Sequence, residues 1–392
     1  MATARRRLPS GYDFGQIRIP DFLLAAALIY DGAGLAGFSF QLITIAVMLL
    51  LAFSRQPTVT LGRHKWVPVV LAVGLFYVMT ISFVSTPSPF AFDWTRRLFR
   101  MAEMFLLVIA LAHGQLHVPS VLKGMLMGLL GNAVAFYLRL TPDTYLGSLT
   151  GFIGDKNKAG MFYAILGVMA LIVARSPQIR ALSIATFGVL VWLTDSRTSI
   201  AAYVLGIAWV YVVAGLSAAN RFFAGVGVLF LVPWLESTFS LAGSFASRVG
   251  SDRLRGRIDA ATQVKVDAAH WFGNGLGEAY VMLDGQRWLF HNSYNTMLVE
   301  GGWPWTILVA GLTIVIMLRP TQSGRVHFES RVLQGAGVTL LICALRLGEV
   351  FVTVPWAIAM GVALHYLVLT ERQKDRADEL PPLLEAVSPG RR

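Results

Sequence analysis

The sequence has little charge and almost no cysteine. Of its 392 residues, 14% are charged and 55% are hydrophobic, and the mean hydropathy is +0.61. An average soluble domain has nearly twice that share of charge, about 25%. The single cysteine, Cys343, lies in an apolar run and permits no intrachain disulfide. The composition therefore argues against a disulfide-stabilised or ordinary soluble domain and indicates a chain that lies mostly in a bilayer.

The sequence also lacks the familiar cofactor and metal motifs. It contains no Gly-Lys-Ser/Thr phosphate loop, no His-Glu-x-x-His, no Gly-x-Ser-x-Gly and no metal-spaced group of Cys or His. Gly273-Asn-Gly-Leu-Gly277 follows no predicted strand and is only part of a nucleotide-binding fingerprint. The net charge of +11 would suit nucleic acid, but no soluble basic domain is predicted. We therefore expect no cofactor, no metal and no nucleic-acid partner.

Long apolar runs are what the sequence does contain. A helix needs about 20 mostly apolar residues to cross a bilayer, and the runs predict about twelve crossings. They lie near 20–36, 38–53, 66–84, 101–113, 120–138, 158–174, 181–195, 198–215, 221–235, 293–318, 332–351 and 355–370. We expect an all-α, polytopic membrane helical bundle over residues 1–370. A long outward-facing loop over about 236–292 is predicted before the tenth crossing, and a disordered cytoplasmic tail over 371–392.

Basic residues in the short loops predict the orientation, because cytoplasmic loops are enriched in Lys and Arg. This rule places both termini in the cytoplasm. The opposite side nevertheless carries a set of basic residues: Arg96, Arg97, Arg100, Lys156, Lys158, Arg197, Arg248, Arg253, Arg255, Arg257, Lys265 and Arg287. Such a set suits a phosphate or diphosphate ligand, which the planar guanidinium group binds with paired hydrogen bonds. For Arg96, Arg97 and Arg100, contact with lipid phosphates is an equally good interpretation.

Two short segments contain the groups best suited to chemistry. Arg197 lies in a short polar turn beside Asp195, with little reach towards water, and ionisable residues in such places are functional by default. His291 begins the segment His291-Asn292-Ser293-Tyr294, where we predict the start of a helix capped by Asn292 or Ser293. The helix dipole would keep the imidazole neutral and available as a base. The alternative is an interfacial or capping histidine without a chemical role.

These segments, in this order, resemble the O-antigen ligase and polymerase superfamily, membrane glycosyltransferases that use undecaprenyl-diphosphate-linked glycans. The resemblance covers about 150–310. It rests on Asp195-Ser-Arg197, on Arg255-Gly-Arg257 with Trp271 and Gly273–Gly277, and on His291-Asn-Ser-Tyr294 with Glu300, Gly301 and Pro304. The segment Gly154–Gly160 is similar to a Lys-Asn-x-x-Gly loop of related polymerases. Asn295 and Trp303-Pro-Trp305 depart from the family pattern and leave the acceptor open.

The resemblance implies a metal-independent, inverting glycosyltransferase in the bacterial cytoplasmic (inner) membrane. Its donor would be an undecaprenyl-diphosphate-linked glycan, and its acceptor a glycan or lipid hydroxyl at the outer face. His291 would be the general base. The diphosphate would be bound by Arg197, Arg257, Arg255 and Lys156, with Asp195, Asn292 and Glu300 in supporting roles. Ligase and polymerase activities share this chemistry, so both stay open, as does the oligomeric state.

A different class of protein, a secondary transporter or flippase of lipid-linked glycans, is the alternative. Transporters commonly have internal repeats, broken helices and ionisable residues near the middle of the membrane. The sequence shows no convincing repeat. Arg346 and Glu349 are the strongest ionisable candidates, and they would also suit a structural ion pair near the outer end of a crossing, where they would line the same cavity.

Overall fold

The computed structural model describes residues 16–31, 39–239, 249–320, 322 and 326–379. Parts of several predicted segments lie outside these residues, including 32–36 of the first crossing, 240–248 of the long loop with Arg248, and 380–392 of the tail. The described part contains thirteen α-helices: α1 (Ile19–Ala27), α2 (Phe40–Phe53), α3 (Trp66–Val84), α4 (Trp94–Ala112), α5 (Val118–Tyr137), α6 (Lys156–Val173), α7 (Pro177–Leu193), α8 (Arg197–Ala208), α9 (Ala218–Phe239), α10 (Val249–Asp267), α11 (Ser293–Thr313), α12 (Phe328–Arg346) and α13 (Val354–Glu379). One antiparallel hairpin joins β1 (Tyr280–Leu283) to β2 (Gln286–Leu289).

Polar side chains cap the helices that begin at the site described below. Asp93 accepts hydrogen bonds from the first turn of α4, and Asp155 accepts one from the backbone nitrogen of Lys158, at 2.8 Å, at the start of α6. Asn292 accepts from the backbone nitrogens of Tyr294 and Asn295, at 2.9 and 3.2 Å, which confirms the predicted start of α11. Each cap satisfies backbone N–H groups that have no partner within the helix.

Several helices are long and apolar enough to cross a membrane. Among the described residues, six meet this condition by length and composition: Gly62–Val84, Val118–Tyr137, Lys156–Val173, Ser293–Leu318, Phe328–Arg346 and Val354–Gln373. Shorter apolar helices cover Phe40–Phe53, Pro177–Leu193 and Arg197–Val213. The protein is therefore an all-α membrane bundle of the multi-pass type. Each of the twelve predicted segments contains a helix, but twelve crossings stay a prediction.

Helices α6 and α13 form the centre of the bundle. In each of them 78% of the apolar 18-residue stretch that could cross the membrane is buried, compared with 28% for α3 at the periphery. α6 packs against α5, α7, α8, α12 and α13, while α13 also packs along α4. Every residue of α6 from Ala159 to Ile172 is buried, and this run is apolar around the whole helix, as expected where a helix has no solvent or lipid face.

The segment predicted as a long loop is largely folded. α9 continues to Phe239, α10 occupies Val249–Asp267, and the β1–β2 hairpin follows. Ile258 of α10, Val281 of the hairpin, and Phe290 and Val299 at α11 form a small apolar core. This core fixes α10 and the hairpin against the start of α11. At the other end of the chain, α13 is helical as far as Glu379, nine residues into the predicted tail.

A break in α11 lets the preceding turn pack into the helix. Gly302 has φ 66° and ψ −166°, a conformation available almost only to glycine, and Pro304 follows it. The backbone nitrogen of Asn274 donates to the carbonyl of Val299 at 2.7 Å, and that of Gly275 donates to the carbonyl of Glu300 at 3.0 Å. The turn thus satisfies backbone groups that the break leaves without helical partners. This packing, rather than a nucleotide, accounts for the glycine-rich sequence at 273–277.

Candidate active site

A cavity of about 320 Å³ lies at the end of the bundle where α4, α6, α11 and α13 begin and α12 ends. Apolar side chains such as Met104 and Phe162 form part of its wall. Its charged and titratable lining residues are Arg97, Arg100, Asp155, Lys158, Arg255, His291, Glu300, Arg346 and Glu349. Basic groups outnumber acidic ones in this set, so the cavity is suited to an anionic ligand with an apolar portion.

Four of these residues, Arg97, Arg100, Glu300 and Glu349, form what we call the inner ion network. Nη2 of Arg97 lies 2.8 Å from Oε2 of Glu300, and its Nη1 contacts Oε1 of Glu349. Nη2 of Arg100 lies 2.9 Å from the other oxygen of Glu349. The second oxygen of Glu300 accepts a hydrogen bond from the backbone nitrogen of Gly277 at 3.0 Å. Both carboxylates are therefore fully engaged, and the network joins α4 to α11 and to the α12–α13 turn.

The network stabilises the charge of Glu349, which lies between α12 and α13. Desolvation opposes ionisation of this carboxyl, but the attraction of Arg100 and Arg97 outweighs it and holds the pKa of Glu349 well below its ordinary value. Glu300 is only 1% exposed, so its charge depends on Arg97 and the Gly277 N–H.

His291, Asp259 and Arg346 form a second set of charged groups, which we call the rim group. Nδ1 of His291 lies 3.7 Å from Oδ1 of Asp259, and Nη1 of Arg346 lies 3.5 Å from Oδ2 of the same carboxylate. Nδ1 is buried and has no hydrogen-bond partner. The three side chains are 29%, 37% and 40% exposed, respectively. The rim group is thus as exposed as Glu349 and Arg100 (34% and 39%) and more exposed than Glu300 and Arg97, and its separations are longer than those of the inner network.

The backbone around His291 is fixed by the α12–α13 turn. The hydroxyl of Ser293 donates to the carbonyl of Leu347 at 2.5 Å and accepts from the backbone nitrogen of Val350 at 3.0 Å. Gly348 packs so closely that a Cβ there would overlap the carbonyl oxygen of Phe290. The backbone on both sides of His291 is therefore held against the α12–α13 turn by hydrogen bonds and close packing.

The structure brings only some of the predicted site residues to the cavity. His291, Arg255 and Glu300 line it, while Asn292 caps α11. The residues that line the cavity do not include Lys156, Asp195, Arg197 or Arg257.

These four residues lie in two other places. Nζ of Lys156 is 3.6 Å from Oδ2 of Asp195, next to Arg197 at the start of α8. Arg257 makes two hydrogen bonds of 2.9 Å to Asp284 at the surface, and this arginine lowers the pKa of the Asp284 carboxyl. Of the four residues predicted to bind the diphosphate, only Arg255 lines the cavity. Lys156 and Arg197 lie near the start of α8, and Arg257 lies at the surface.

The sequence motifs assign no role to Asp259, although its spacing from Arg255 indicates that the two residues lie together. Asp259 follows Arg255 by four residues, so the two side chains share one face of α10. The expectation that Arg346 and Glu349 line the cavity is confirmed, and each has partners of its own: Arg346 lies by Asp259, and Glu349 by Arg97 and Arg100. Within the described part of the chain, no three His, Cys, Asp or Glu side chains are grouped as metal ligands.

The chain matches no protein-family model and no curated protein. The resemblance to O-antigen ligases and polymerases therefore rests on the sequence motifs alone and stays a prediction.

Proposed function

We propose that the protein is a membrane glycosyltransferase. Its donor is a glycan linked to undecaprenyl diphosphate, and its acceptor is a hydroxyl of a glycan or lipid. The observation that carries the proposal is the presence of His291 together with Arg255, Lys158 and Arg346 in one cavity at the end of an apolar bundle. A base and several cations in a cavity that is partly apolar match the needs of a lipid diphosphate donor.

In the proposed reaction, His291 accepts the proton of the acceptor hydroxyl as its oxygen attacks the anomeric carbon. The bond from that carbon to the diphosphate oxygen breaks, and the diphosphate leaves with the bonding electrons. Arginine and lysine side chains stabilise the charge that develops on the leaving group. A single displacement of this kind inverts the anomeric configuration, so a product with retained configuration would contradict it.

Cavity geometry favours a revised set of diphosphate ligands. Arg255, Lys158 and Arg346 line the cavity with His291 and are the ligands that we propose. Lys158 also contacts the Asp31 carboxylate, so a bound diphosphate would share or replace that partner. Glu300, expected to support the base, is engaged by Arg97 and Gly277 and holds the inner network together. We assign Lys156, Asp195 and Arg197 to the structure beside the cavity and Asn292 to the cap of α11.

The proposal includes the setting of the enzyme. With both termini in the cytoplasm and about twelve crossings, the cavity would face the outer side of the bacterial inner membrane, where lipid-linked glycans are presented and lipid surrounds the enzyme. The basic residues at the cavity, which oppose the usual charge bias, are then explained by their anionic ligand.

A transporter or flippase of lipid-linked glycans is a second candidate, and the break in α11 favours it. Broken helices in membrane transporters often present backbone groups to a substrate. In this protein, however, the backbone groups at the break bond to the Trp271–Gly277 turn. We therefore prefer the transferase.

The test is an assay with the purified full-length protein in lipid vesicles. The native protein is given an undecaprenyl-diphosphate oligosaccharide, alone and with candidate acceptors, and the release of undecaprenyl diphosphate is measured. His291→Ala is expected to lower turnover by about 10²- to 10⁴-fold, the usual contribution of a general base. A ladder of longer lipid-linked chains would indicate a polymerase, and one transfer to a foreign acceptor a ligase.

His270→Ala is the matched control, because His270 is not among the residues lining the cavity. It should retain native turnover. If native protein moves labelled lipid-linked glycan between leaflets without releasing diphosphate, the transferase proposal is wrong and the transporter is supported.

A further inference from the structure

The rim group contains a carboxylate placed to orient the proposed base. We infer that Asp259 is a positioning residue for His291: it holds the neutral ring with its proton on Nδ1 and leaves Nε2 to accept the proton of the acceptor. The inference rests on the proposed function, because it explains how that function's base is prepared. The pairing of the Asp259 and His291 side chains can be measured by spectroscopy, even if the protein transfers no glycan.

The first step is the position of Nδ1. This atom is buried, has no hydrogen-bond partner and lies 3.7 Å from Oδ1 of Asp259. A buried ring nitrogen without a partner is unfavourable, so the nearby carboxylate is a ready acceptor for it. A shift of about 1 Å brings the two atoms to hydrogen-bond distance. Catalytic hydrogen bonds are often long before the substrate binds and shorten in the complex.

The second step is the choice of tautomer. A carboxylate only accepts hydrogen bonds, so a histidine that bonds to it through Nδ1 must carry its neutral-state proton there. The lone pair is then on Nε2, and the carboxylate stabilises the imidazolium that forms when Nε2 takes up a proton. Asp259 would thus act through His291 and not on the substrate.

The third step is the support of Asp259 itself. Nη1 of Arg346 lies 3.5 Å from its second carboxylate oxygen and helps to hold that carboxylate in place. Ile258, the preceding residue, is 1% exposed in the small core with Phe290 and Val299. The backbone that carries Asp259 is therefore held against the segment that carries His291. Arg255, one turn earlier on α10, lines the cavity, so one helix supplies a proposed diphosphate ligand and the positioning carboxylate.

The competing explanation is that Asp259 only ties α10 to α12 through Arg346. The two explanations differ in what they predict for the imidazole ring. A purely structural carboxylate would leave the tautomer of His291 unchanged when its charge is removed, whereas a positioning carboxylate would not.

The experiment is ¹⁵N NMR of the histidine rings in full-length protein in lipid nanodiscs. The sequence has seven histidines, and His291→Gln identifies the signals of His291. The native neutral ring is expected to carry its proton on Nδ1. Asp259→Asn should shift it towards Nε2, while Asp259→Glu, which keeps the carboxylate, should retain the native tautomer. Asp259→Ser provides a second uncharged variant in case the amide of the first disturbs folding, and melting temperatures are compared for all variants.

Asp267→Asn is the matched control, because Asp267 is exposed at the end of the same helix and bonds to Gln263. It should leave the His291 signals unchanged.

In the transfer assay, Asp259→Asn should lower kcat by about 100-fold, a large part of what a general base contributes, with donor KM changed less than about twofold. Asp259→Glu should recover part of the rate.

The outcomes separate the two proposals. Unchanged His291 tautomers in both Asp259→Asn and Asp259→Ser would overturn the inference, whatever happens to activity. If the native protein transfers no glycan but the tautomer shifts as expected, the proposed function is wrong and the Asp259–His291 pairing is real.

Discussion

The inner ion network and the rim group use the same kinds of side chain in opposite ways. In the network, Glu349 and Arg100 are 34% and 39% exposed, but Glu300 and Arg97 are only 1% and 14% exposed, and every carboxylate oxygen has a donor within 3.0 Å. In the rim group the side chains are 29–40% exposed, and the separations are 3.5 and 3.7 Å. The difference teaches that a charged residue at this cavity is not a ligand-binding residue by charge alone. Groups that already satisfy one another hold helices together, whereas a ring nitrogen without a hydrogen-bond partner, such as Nδ1 of His291, retains the capacity to bond or react.

Removing one partner of the buried network should have the largest effect on stability. Arg97→Met leaves the Glu300 carboxylate buried with only the Gly277 N–H as a partner. We expect the free energy of unfolding to fall by about 3–5 kcal/mol, the usual cost of an uncompensated buried charge. Unfolding in detergent with increasing denaturant measures this change.

The double variant Arg97→Met with Glu300→Gln is the control for that prediction. It removes both charges of the pair, so it should be more stable than Arg97→Met alone. If both variants lose the same stability, the network does not act as a compensated ion pair.

Substitution at the break in α11, next to Glu300, should cause the next largest loss of stability. Gly302→Ala adds a Cβ that would overlap the carbonyl oxygen of Trp271, and it does so at φ 66°. We expect a loss of about 2–3 kcal/mol from backbone strain and from displacement of the turn. Gly311→Ala lies in the same helix with no atom within 4 Å of the new Cβ. It should be neutral or slightly stabilising, and equal losses in the two variants would contradict this account.

The acid dependence of stability should depend in part on Glu349. Its lowered pKa means that it contributes stability at pH values above its unfolded-state pKa of about 4.3, and that this contribution is lost as pH falls towards the folded value. Glu349→Gln should lower the melting temperature at about pH 7 and flatten its decline between about pH 5 and 3. Melting curves over this range give the result, and parallel declines would argue against it.

Breaking the exposed ion pair of Arg257 and Asp284 should have the smallest effect on stability. Water solvates both partners when the pair is broken, so Arg257→Ala should leave the melting temperature unchanged within error. In the transfer assay, Arg257→Ala should lower kcat/KM less than Arg255→Ala, because only Arg255 of the two lines the cavity. A larger loss of kcat/KM in Arg257→Ala than in Arg255→Ala would support Arg257 as a diphosphate ligand and would mean that the binding site extends beyond the cavity.

Much of the fold could be predicted from local patterns. Apolar runs indicated helices in all twelve predicted segments, and Asn292 marked the start of α11. Both are local properties, since a membrane-crossing helix is recognised from one continuous apolar run and a cap from residues within one turn. The predicted loop was less accurate. Helix α10 is rich in charged residues and lacks the apolar run that identifies the crossings, because it packs at the end of the bundle and not within the apolar part.

The site was harder to predict because its contacts join distant parts of the chain. Arg97 pairs with residues about 200 and 250 positions away, and Asp259 lies 87 positions from Arg346. Sequence spacing could not show that Arg255 lines the cavity while Arg257, two residues later, bonds to Asp284 at the surface. On a helix, two residues apart is about 200° around the axis, so neighbouring arginines face different surroundings.

By itself, the sequence determined that this chain is a helical membrane protein with a histidine at a helix start and an excess of basic residues near it. The reason is that bilayer insertion and helix capping depend on composition and local order. Only the tertiary structure decided which charges neutralise each other and which line the cavity. Ionic interactions decay with distance in space, and the distances among Arg97, Glu300, Asp259 and His291 are set by the packing of helices far apart in the chain.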